Sequence, residues 1–206
     1  MKYLSQIVID KKEAIGKGFR DSYAWHKALW EAFPGQNGEC RSFLSRINSK
    51  DRYYHVLLLS QQRPTLPDWG KWETKEVAGQ FLDHKMYRFE LRANPTVKRV
   101  VRDTEQKRKK NGRRTAICDY MELKEWMNNK ALSAGFEIRD DLLEISSPVK
   151  DVFDRKGKMG KHSRVDYSGI MKVNNRGLFR KAFAEGIGPA KSFNFGMLVL
   201  QPVKEL

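Results

Sequence analysis

Cysteine is nearly absent from this chain: Cys40 and Cys118 are the only two in 206 residues. They offer no disulfide framework and no zinc spacing. Histidine is almost as scarce. His26, His55, His84 and His162 form no H-x-x-x-H pair and no Cys/His ligand set. The carboxylates do not gather as a two-metal nuclease requires, so neither a metal nor another cofactor is expected. Asp140, Asp141 and Glu144 come nearest and read as solvated. Long apolar runs are missing, which excludes a membrane-spanning helix, and the start MKYLSQIVID is too short and polar for a signal peptide. A soluble, cytoplasmic protein is expected. Negative charge is in deficit as well: 25 Asp and Glu face 40 Lys and Arg, a formal charge of +15. An excess of that size points to a polyanion, nucleic acid before an acidic surface.

The positive charge is uneven. Residues 1–84 carry 13 Lys and Arg against 10 Asp and Glu, whereas residues 85–206 carry 27 against 15. The polyanion therefore belongs mainly to the second half. Two stretches concentrate it. Residues 98–114 hold Lys98, Arg99, Arg102, Lys107, Arg108, Lys109, Lys110, Arg113 and Arg114 with almost no apolar content, and read as a nucleic-acid-contacting loop. Residues 150–164 hold Lys156, Lys158, Lys161 and Arg164 between β-like segments, which predicts a hairpin with a basic tip.

Periodicity supplies the elements. Lys2–Asp10 alternates as a strand, and residues 11–18 read as a polar connection. Phe19, Tyr23, His26, Trp30 and Phe33, widened by Leu29, recur on one helical face with Asp21 or Ser22 as N-cap and Pro34-Gly35 as the stop. Phe43–Asn48 and Tyr53–Ser60 are strands about a turn, the second apolar enough to be central. A loop over 61–70 and a short element over 72–81 complete a β-α-β-β order with a weak α and β, which is ferredoxin-like. The second half repeats the order: a strand at Met86–Ala93, a helix at Tyr120–Leu132 with Tyr120, Leu123, Trp126, Met127 and Leu132 on its apolar face, one or two strands over 136–146, the basic hairpin, a helix at Asn174–Glu185 and a last strand. The expected architecture is α+β, two tandem ferredoxin-like domains spanning 1–84 and 85–206.

One loop stands out. Gly186-Ile187-Gly188-Pro189-Ala190-Lys191-Ser192-Phe193-Asn194-Phe195-Gly196 brackets Lys191 with glycines, between a helix and the last strand. Chain with few Cβ atoms can approach an anion closely. It is not a P-loop, since Ala190 and Glu185 stand where that motif needs glycine, so nucleoside triphosphate hydrolysis is not expected. The aromatic RNA-stacking signature of RRM sheets is also missing. Tyr23 and His26, three residues apart, share a helix face. Two readings stay open for them: an imidazole for proton transfer with a hydroxyl beside it, or plain core packing of an aromatic stripe.

Three blocks together resemble CasE, the CRISPR repeat-RNA endoribonuclease family of type I-E systems. They are Tyr23-x-x-His26-x-x-Leu29-Trp30 with Phe33-Pro34-Gly35; Phe89-x-Leu91-Arg92-Ala93-Asn94-Pro95; and Gly186-Ile187-Gly188-Pro189-Ala190-Lys191-Ser192 with Gly196-Met197-Leu198. They occur in family order and cover the chain to about residue 202. The resemblance implies two tandem ferredoxin-like domains that bind a repeat-RNA hairpin and cut once at the 3′ base of its stem without metal. The 2′-OH attacks, leaving a 2′,3′-cyclic phosphate and a 5′-OH. His26 matches the family's catalytic histidine and Tyr23 its tyrosine. The implied partners are the repeat RNA, precursor and mature, and the other Cascade subunits, with a monomer outside that complex and no membrane.

Within this reading Lys27, Lys191 and Ser192 support the phosphate, with the glycine-loop amides at Gly186 and Gly188. Arg92 and the basic residues of the two stretches grip the RNA. The chain departs from the family at Glu31, where some members have lysine, and at Phe193-Asn194-Phe195, where small residues are common. A non-catalytic RNA-binding or assembly protein fits the charge and element order equally well and makes Tyr23 and His26 packing residues. A DNA-binding regulator is a third class, separable because 2′-OH attack requires ribose.

Overall fold

The computed structural model describes residues 2–35, 42–99, 113–155 and 157–203, with Arg113 described for its backbone alone. Strand β1 (Tyr3–Asp10) turns Ser5, Ile7 and Ile9 inward by simple alternation. Asp10 then caps a short helix, α1 (Lys11–Gly16), accepting the Lys12 amide at 2.7 Å. The polar composition there predicts a connection; the cap and the burial of Ala14 make a helix instead. Helix α2 (Ser22–Trp30) starts as expected, with the Asp21 carboxylate accepting the Ala24 amide at 2.8 Å.

Strands β2 (Phe43–Ser49), β3 (Tyr53–Ser60) and β4 (Lys71–Glu76) follow, and the antiparallel sheet runs β2-β3-β1-β4. This is the ferredoxin order, with β3 inside as its apolar run requires. One element of the pattern is missing. Residues 61–70 are irregular where a second helix would cross over, and the segment after them is β4 followed by a 3-10 turn at Gly79–Leu82. Pro64 and Pro67 make a helix there costly. Trp69 fills the space: it is 1% exposed and meets Phe19, Trp25 and Trp72 at ring-centroid distances of 5.2, 6.2 and 5.0 Å.

The second unit contains β5 (Met86–Ala93), β6 (Thr96–Arg99), β7 (Arg113–Ala116), α3 (Tyr120–Ser133), β8 (Phe136–Ile138), β9 (Glu144–Ile145), β10 (Val149–Arg155), β11 (Lys158–Val173), α4 (Arg176–Glu185) and β12 (Leu198–Pro202). Its sheet runs β10-β11-β5-β12, with β8 and β9 also paired to the long β11. The order is again ferredoxin-like, the place of the second strand being divided among β8, β9 and β10. The β6–β7 hairpin is a separate insertion after β5. On α3, Leu123, Trp126 and Met127 are buried with Ala131, while Tyr120 and Leu132 at the helix ends stay in solvent.

Each unit has its own core, and a third cluster joins them. Leu44 and Leu59 from the first sheet meet Phe183 and Met197 from the second unit. The seam is also polar: Arg46 on β2 reaches Glu90 on β5 at 2.8 Å. Burial of this kind holds the two sheets in one arrangement, and with them the elements that face each other across the seam.

Candidate active site and nucleic-acid interface

Helix α2 divides its side chains between the core and a half-buried edge. Trp25, Ala28 and Leu29 enter the core; Tyr23, His26 and Trp30 lie beside that face, half-buried. Of the stripe read from aromatic spacing, Phe19, Leu29 and Phe33 are core while Tyr23, His26 and Trp30 form its half-buried edge, and Trp25, outside that stripe, is also in the core. Trp30 Nε1 donates to His26 Nε2 at 3.1 Å, one helical turn away. With Nε2 accepting, the neutral imidazole carries its proton on Nδ1. The Phe43 ring lies 6.0 Å from His26 and 5.2 Å from Trp30, so the imidazole is braced from β2 as well. Lys27 Nζ stands 5.2 Å over the Tyr23 ring, which places a cation beside that phenol.

The glycine loop comes to this helix from the other unit. Its short 3-10 turn, Lys191–Phe193, packs on α2, with the Phe193 ring 6.4 Å from Tyr23. Within eleven residues five have positive φ: Gly186, Gly188, Ala190, Asn194 and Gly196. The glycines answer to crowding. A Cβ on Gly188 would stand 3.1 Å from the Trp126 ring, and one on Gly196 2.7 Å from the Ile187 carbonyl oxygen. Four loop amides are used inside the protein: Gly186 donates to Ala182 O, Ile187 to Gly196 O, Phe193 to Ala190 O and Gly196 to Arg92 O. The Gly186 amide is therefore occupied, and the anion-cradle reading rests on the stretch 188–192 that bears Lys191 and Ser192, both half-buried.

Of the two basic hairpins, β10–β11 meets this junction, while β6–β7 reaches α3 through Arg99 and Glu122. In β10–β11, Arg155 is directly opposite Lys158 across a turn with Gly157 at φ 76°; in β6–β7, Lys98 is opposite Arg114. Like charges directly opposite on neighbouring strands are destabilising. Such pairing concentrates positive charge where an unliganded fold gains nothing from it. Lys98, Arg114, Lys158 and Lys161 are exposed; Arg99 is paired with Glu122 at 3.3 Å, and Arg164 leans on Asp166 at 3.8 Å. Lys107, Arg108, Lys109, Lys110, Lys156 and the Arg113 side chain lie outside the described residues.

Arg92 is placed differently from the other expected RNA contacts. Its Nε donates to Asp166 at 2.8 Å, its Nη1 to the Ile47 carbonyl at 2.6 Å, and its Nη2 lies 3.4 Å from both Asn48 Oδ1 and Asp166 Oδ2. It ties β5 to β2 across the seam rather than presenting a guanidinium to solvent. Glu31 is also structural. Its carboxylate accepts the indole N–H of the buried Trp69 at 3.0 Å. Removing a charged acceptor from a buried donor costs about 1–3 kcal/mol. Glu31→Ala is therefore expected to lower stability by about 2 kcal/mol in urea unfolding, and Glu31→Gln, which keeps an acceptor, to recover most of it. An unchanged midpoint for Glu31→Ala would show that the indole has no need of that carboxylate.

Several residues that hold the site gave no signal on their own. Asn94 Nδ2 stands 3.1 Å from His162 Nδ1, and its Oδ1 accepts the Ser163 amide at 3.0 Å. Burial holds the His162 imidazole below the usual histidine range, opposed by Asp151. A neutral ring then accepts from Asn94 at Nδ1. Asp21, besides capping α2, accepts the Asp154 amide of β10 at 2.9 Å. Asp21 was legible as a candidate cap and Trp30 as a member of the His26 helical face, but the contacts that they make to Asp154 and to the imidazole were not.

Two ferredoxin-order sheets, a Tyr–His pair on a helix of the first, and a glycine loop and basic hairpins from the second define a tandem ferredoxin-like protein with its positive charge on the second unit. The family model described as "CRISPR associated protein" matches residues 2–202, and the chain belongs to that family. The chain is 29% identical over 208 residues to the CRISPR system Cascade subunit CasE of Escherichia coli (strain K12), covering 98% of this chain and all of the relative. It is similar to the crystal structure of the CRISPR-associated protein Cas6e from Escherichia coli K-12, with 28% identity, a TM-score of 0.76 and coverage of 98% and 100%. Thermus thermophilus Cse3 bound to an RNA representing a pre-cleavage complex shares the fold, with a TM-score of 0.78 at 19% identity over 98% of this chain and 99% of that one.

Proposed function

We propose that this chain is a metal-independent endoribonuclease of CRISPR repeat RNA. It binds the repeat stem-loop, cuts at the 3′ base of the stem and remains on the mature guide RNA as a subunit of a Cascade-type complex in the cytoplasm. One observation carries the reading: the half-buried His26, its ring held by Trp30, sits with Tyr23 where the glycine loop of the basic unit docks. The relatives' names support it, one being a Cascade subunit and another an RNA-bound Cse3. Residues 1–84 carry the catalytic helix and residues 85–206 the RNA grip. No helix among the described residues is long and apolar enough to cross a membrane.

The chemistry follows from the groups present. The 2′-oxygen attacks the adjacent phosphorus, the bond from phosphorus to the 5′-oxygen breaks, and that oxygen must take up a proton. Nε2 of His26 takes the 2′-OH proton, and the imidazolium so formed gives its Nδ1 proton to the 5′-oxygen. Acting as base toward the 2′-OH requires Nε2 to exchange the Trp30 indole for the ribose hydroxyl, so binding of the strand and activation of the imidazole are one event. The Tyr23 hydroxyl orients the 2′-OH. Lys27, Lys191 and Ser192 counter the charge of the phosphorane, and positioning in line supplies much of the remaining barrier reduction.

The decisive experiment is incubation of the full chain in EDTA with a repeat-derived RNA hairpin and with its analogue carrying 2′-deoxyribose at the cut site. The all-ribose hairpin should give a 2′,3′-cyclic phosphate and a 5′-OH, and the deoxy analogue should bind equally and stay intact. Cleavage that needs Mg²⁺, or that ignores the 2′-deoxy substitution, would replace this mechanism with a metal-dependent one. Binding without any cleavage would favour the non-catalytic RNA-binding class.

A further inference from the structure

The late glycine loop carries Phe193-Asn194-Phe195, which neither phosphate binding nor proton transfer requires. Their surroundings are specific. The Phe193 ring packs against two rings of the β10–β11 hairpin, Phe153 at 4.3 Å and His162 at 4.7 Å, and Tyr23 lies 6.4 Å from it. Those two rings are themselves stacked at 4.9 Å and 23°, and Phe153 lies across Gly160, where any Cβ would collide with it. Phe195, 1% exposed, closes the cluster 5.5 Å from His162. The result is a rigid aromatic block of the second unit with one face toward the catalytic helix.

Asn194 acts on the same turn of that helix. It is 6% exposed with φ 65°, a conformation that asparagine tolerates better than most residues. Its Oδ1 accepts from Ser45 Oγ on β2 at 2.7 Å, and its Nδ2 donates to the Ser22 carbonyl at 3.5 Å. Ser22 immediately precedes Tyr23. The cap residue Asp21 is joined to the hairpin through the Asp154 amide. The first turn of α2 is thus held from the second unit at its cap, at its first carbonyl and at the ring of Tyr23.

We propose that Phe193 is a positioning residue for RNA cleavage: the aromatic block orients Tyr23 through Phe193, while Asn194 sets the height of the helix turn beneath it. The catalytic consequence rests on the endoribonuclease reading above. The alternative is that Phe193 fills space, in which case leucine would serve as well.

The test uses the full chain with Phe193→Leu, Phe193→Tyr, Tyr23→Phe and the double variant Phe193→Leu/Tyr23→Phe. Single-turnover cleavage is measured at saturating repeat-derived RNA hairpin, affinity with the 2′-deoxy hairpin, and the Tyr23 ring environment by NMR of tyrosine-labelled protein. Phe193→Leu should slow cleavage by about 10–100-fold, as small misplacements of reacting groups do. Its affinity should stay within about threefold of the parent. Phe193→Tyr should restore the rate, and the double variant should be no slower than Tyr23→Phe, because both changes remove one contribution. The Tyr23 ring resonances should move in Phe193→Leu. Parent-like cleavage by Phe193→Leu, a loss that multiplies with Tyr23→Phe, or an affinity that falls with the rate would overturn the proposal. If the parent itself cuts no RNA, the endoribonuclease reading fails separately. The NMR result still decides the orienting contact, and an unmoved Tyr23 spectrum would refute it.

Discussion

His26→Ala is expected to lower single-turnover cleavage by about 10²–10⁴-fold while hairpin affinity is unchanged, the range for loss of one general acid–base group. The geometry separates the two quantities. The imidazole lies half-buried on α2, and the exposed cations of the two hairpins lie on other elements: Lys158 and Lys161 on β11, Lys98 and Arg114 on the β6–β7 hairpin; Lys27, the one cation of α2, is left in place by this variant. Truncating His26 removes the proton donor for the 5′-oxygen and leaves the Trp30 indole without its acceptor, yet touches no phosphate contact. Because Trp30 sets the tautomer, Trp30→Phe should fall between the parent and His26→Ala. The measurement is the cleavage rate with enzyme in excess, beside a filter-binding titration. Undiminished cutting by His26→Ala would remove the histidine from the mechanism, and equal loss of affinity would make it a binding residue.

Gly196→Ala is expected to destabilise the protein by about 3 kcal/mol, from backbone strain and overpacking together. Gly196 has φ 84°, and an added Cβ would stand 2.7 Å from the Ile187 carbonyl oxygen, a backbone atom that cannot swing aside. The two residues are already joined through the Ile187 amide and the Gly196 carbonyl at 2.9 Å, and the Gly196 amide donates to Arg92 O at 2.8 Å. Relief of the clash would break the closure of the loop and its attachment to β5 together. For a chain of this length the loss corresponds to roughly 6–12 °C in Tm. Thermal unfolding followed by circular dichroism reads it directly, and a shift of under about 2 °C would mean that the loop relaxes freely. Gly157→Ala is the matched control, since its φ of 76° is similar but nothing lies within 4 Å of its Cβ position.

Those two residues also mark what the sequence could and could not convey. Local signals were legible where one physical cause dominates. Asp21 as a cap, the central β3 from Val56-Leu57-Leu58-Leu59, and the basic tip of β10–β11 each follow from a single short-range rule. Features decided by distant neighbours were not. The loop over 61–70 was legible from its prolines, but not that Trp69 would fill the core beside α2, and the polar run after β1 became helix because Ala14 found a buried place. The glycines of the last loop read as room for a ligand; at Gly188 and Gly196 the room is taken by Trp126 and by the loop's own backbone. Arg92 reads as one more cation on a basic half, and only the fold shows Asp166 and Ile47 waiting for it. For Tyr23 and His26 the helical spacing was right, but whether that face met core or cleft depended on where the second unit docks.

The opposed cations of the two hairpins bear on how the protein lets go of its ligand. Arg155 faces Lys158 and Lys98 faces Arg114, so the bare strands repel themselves and a bound polyanion is the counter-ion they lack. Each departure of RNA restores that repulsion, which biases the protein toward keeping what it has cut. Ionic strength then acts in opposite senses on the two states. Screening eases the self-repulsion of the empty hairpins and at the same time weakens their hold on phosphate. The residence time of product is accordingly set by the same charges that recruit the substrate.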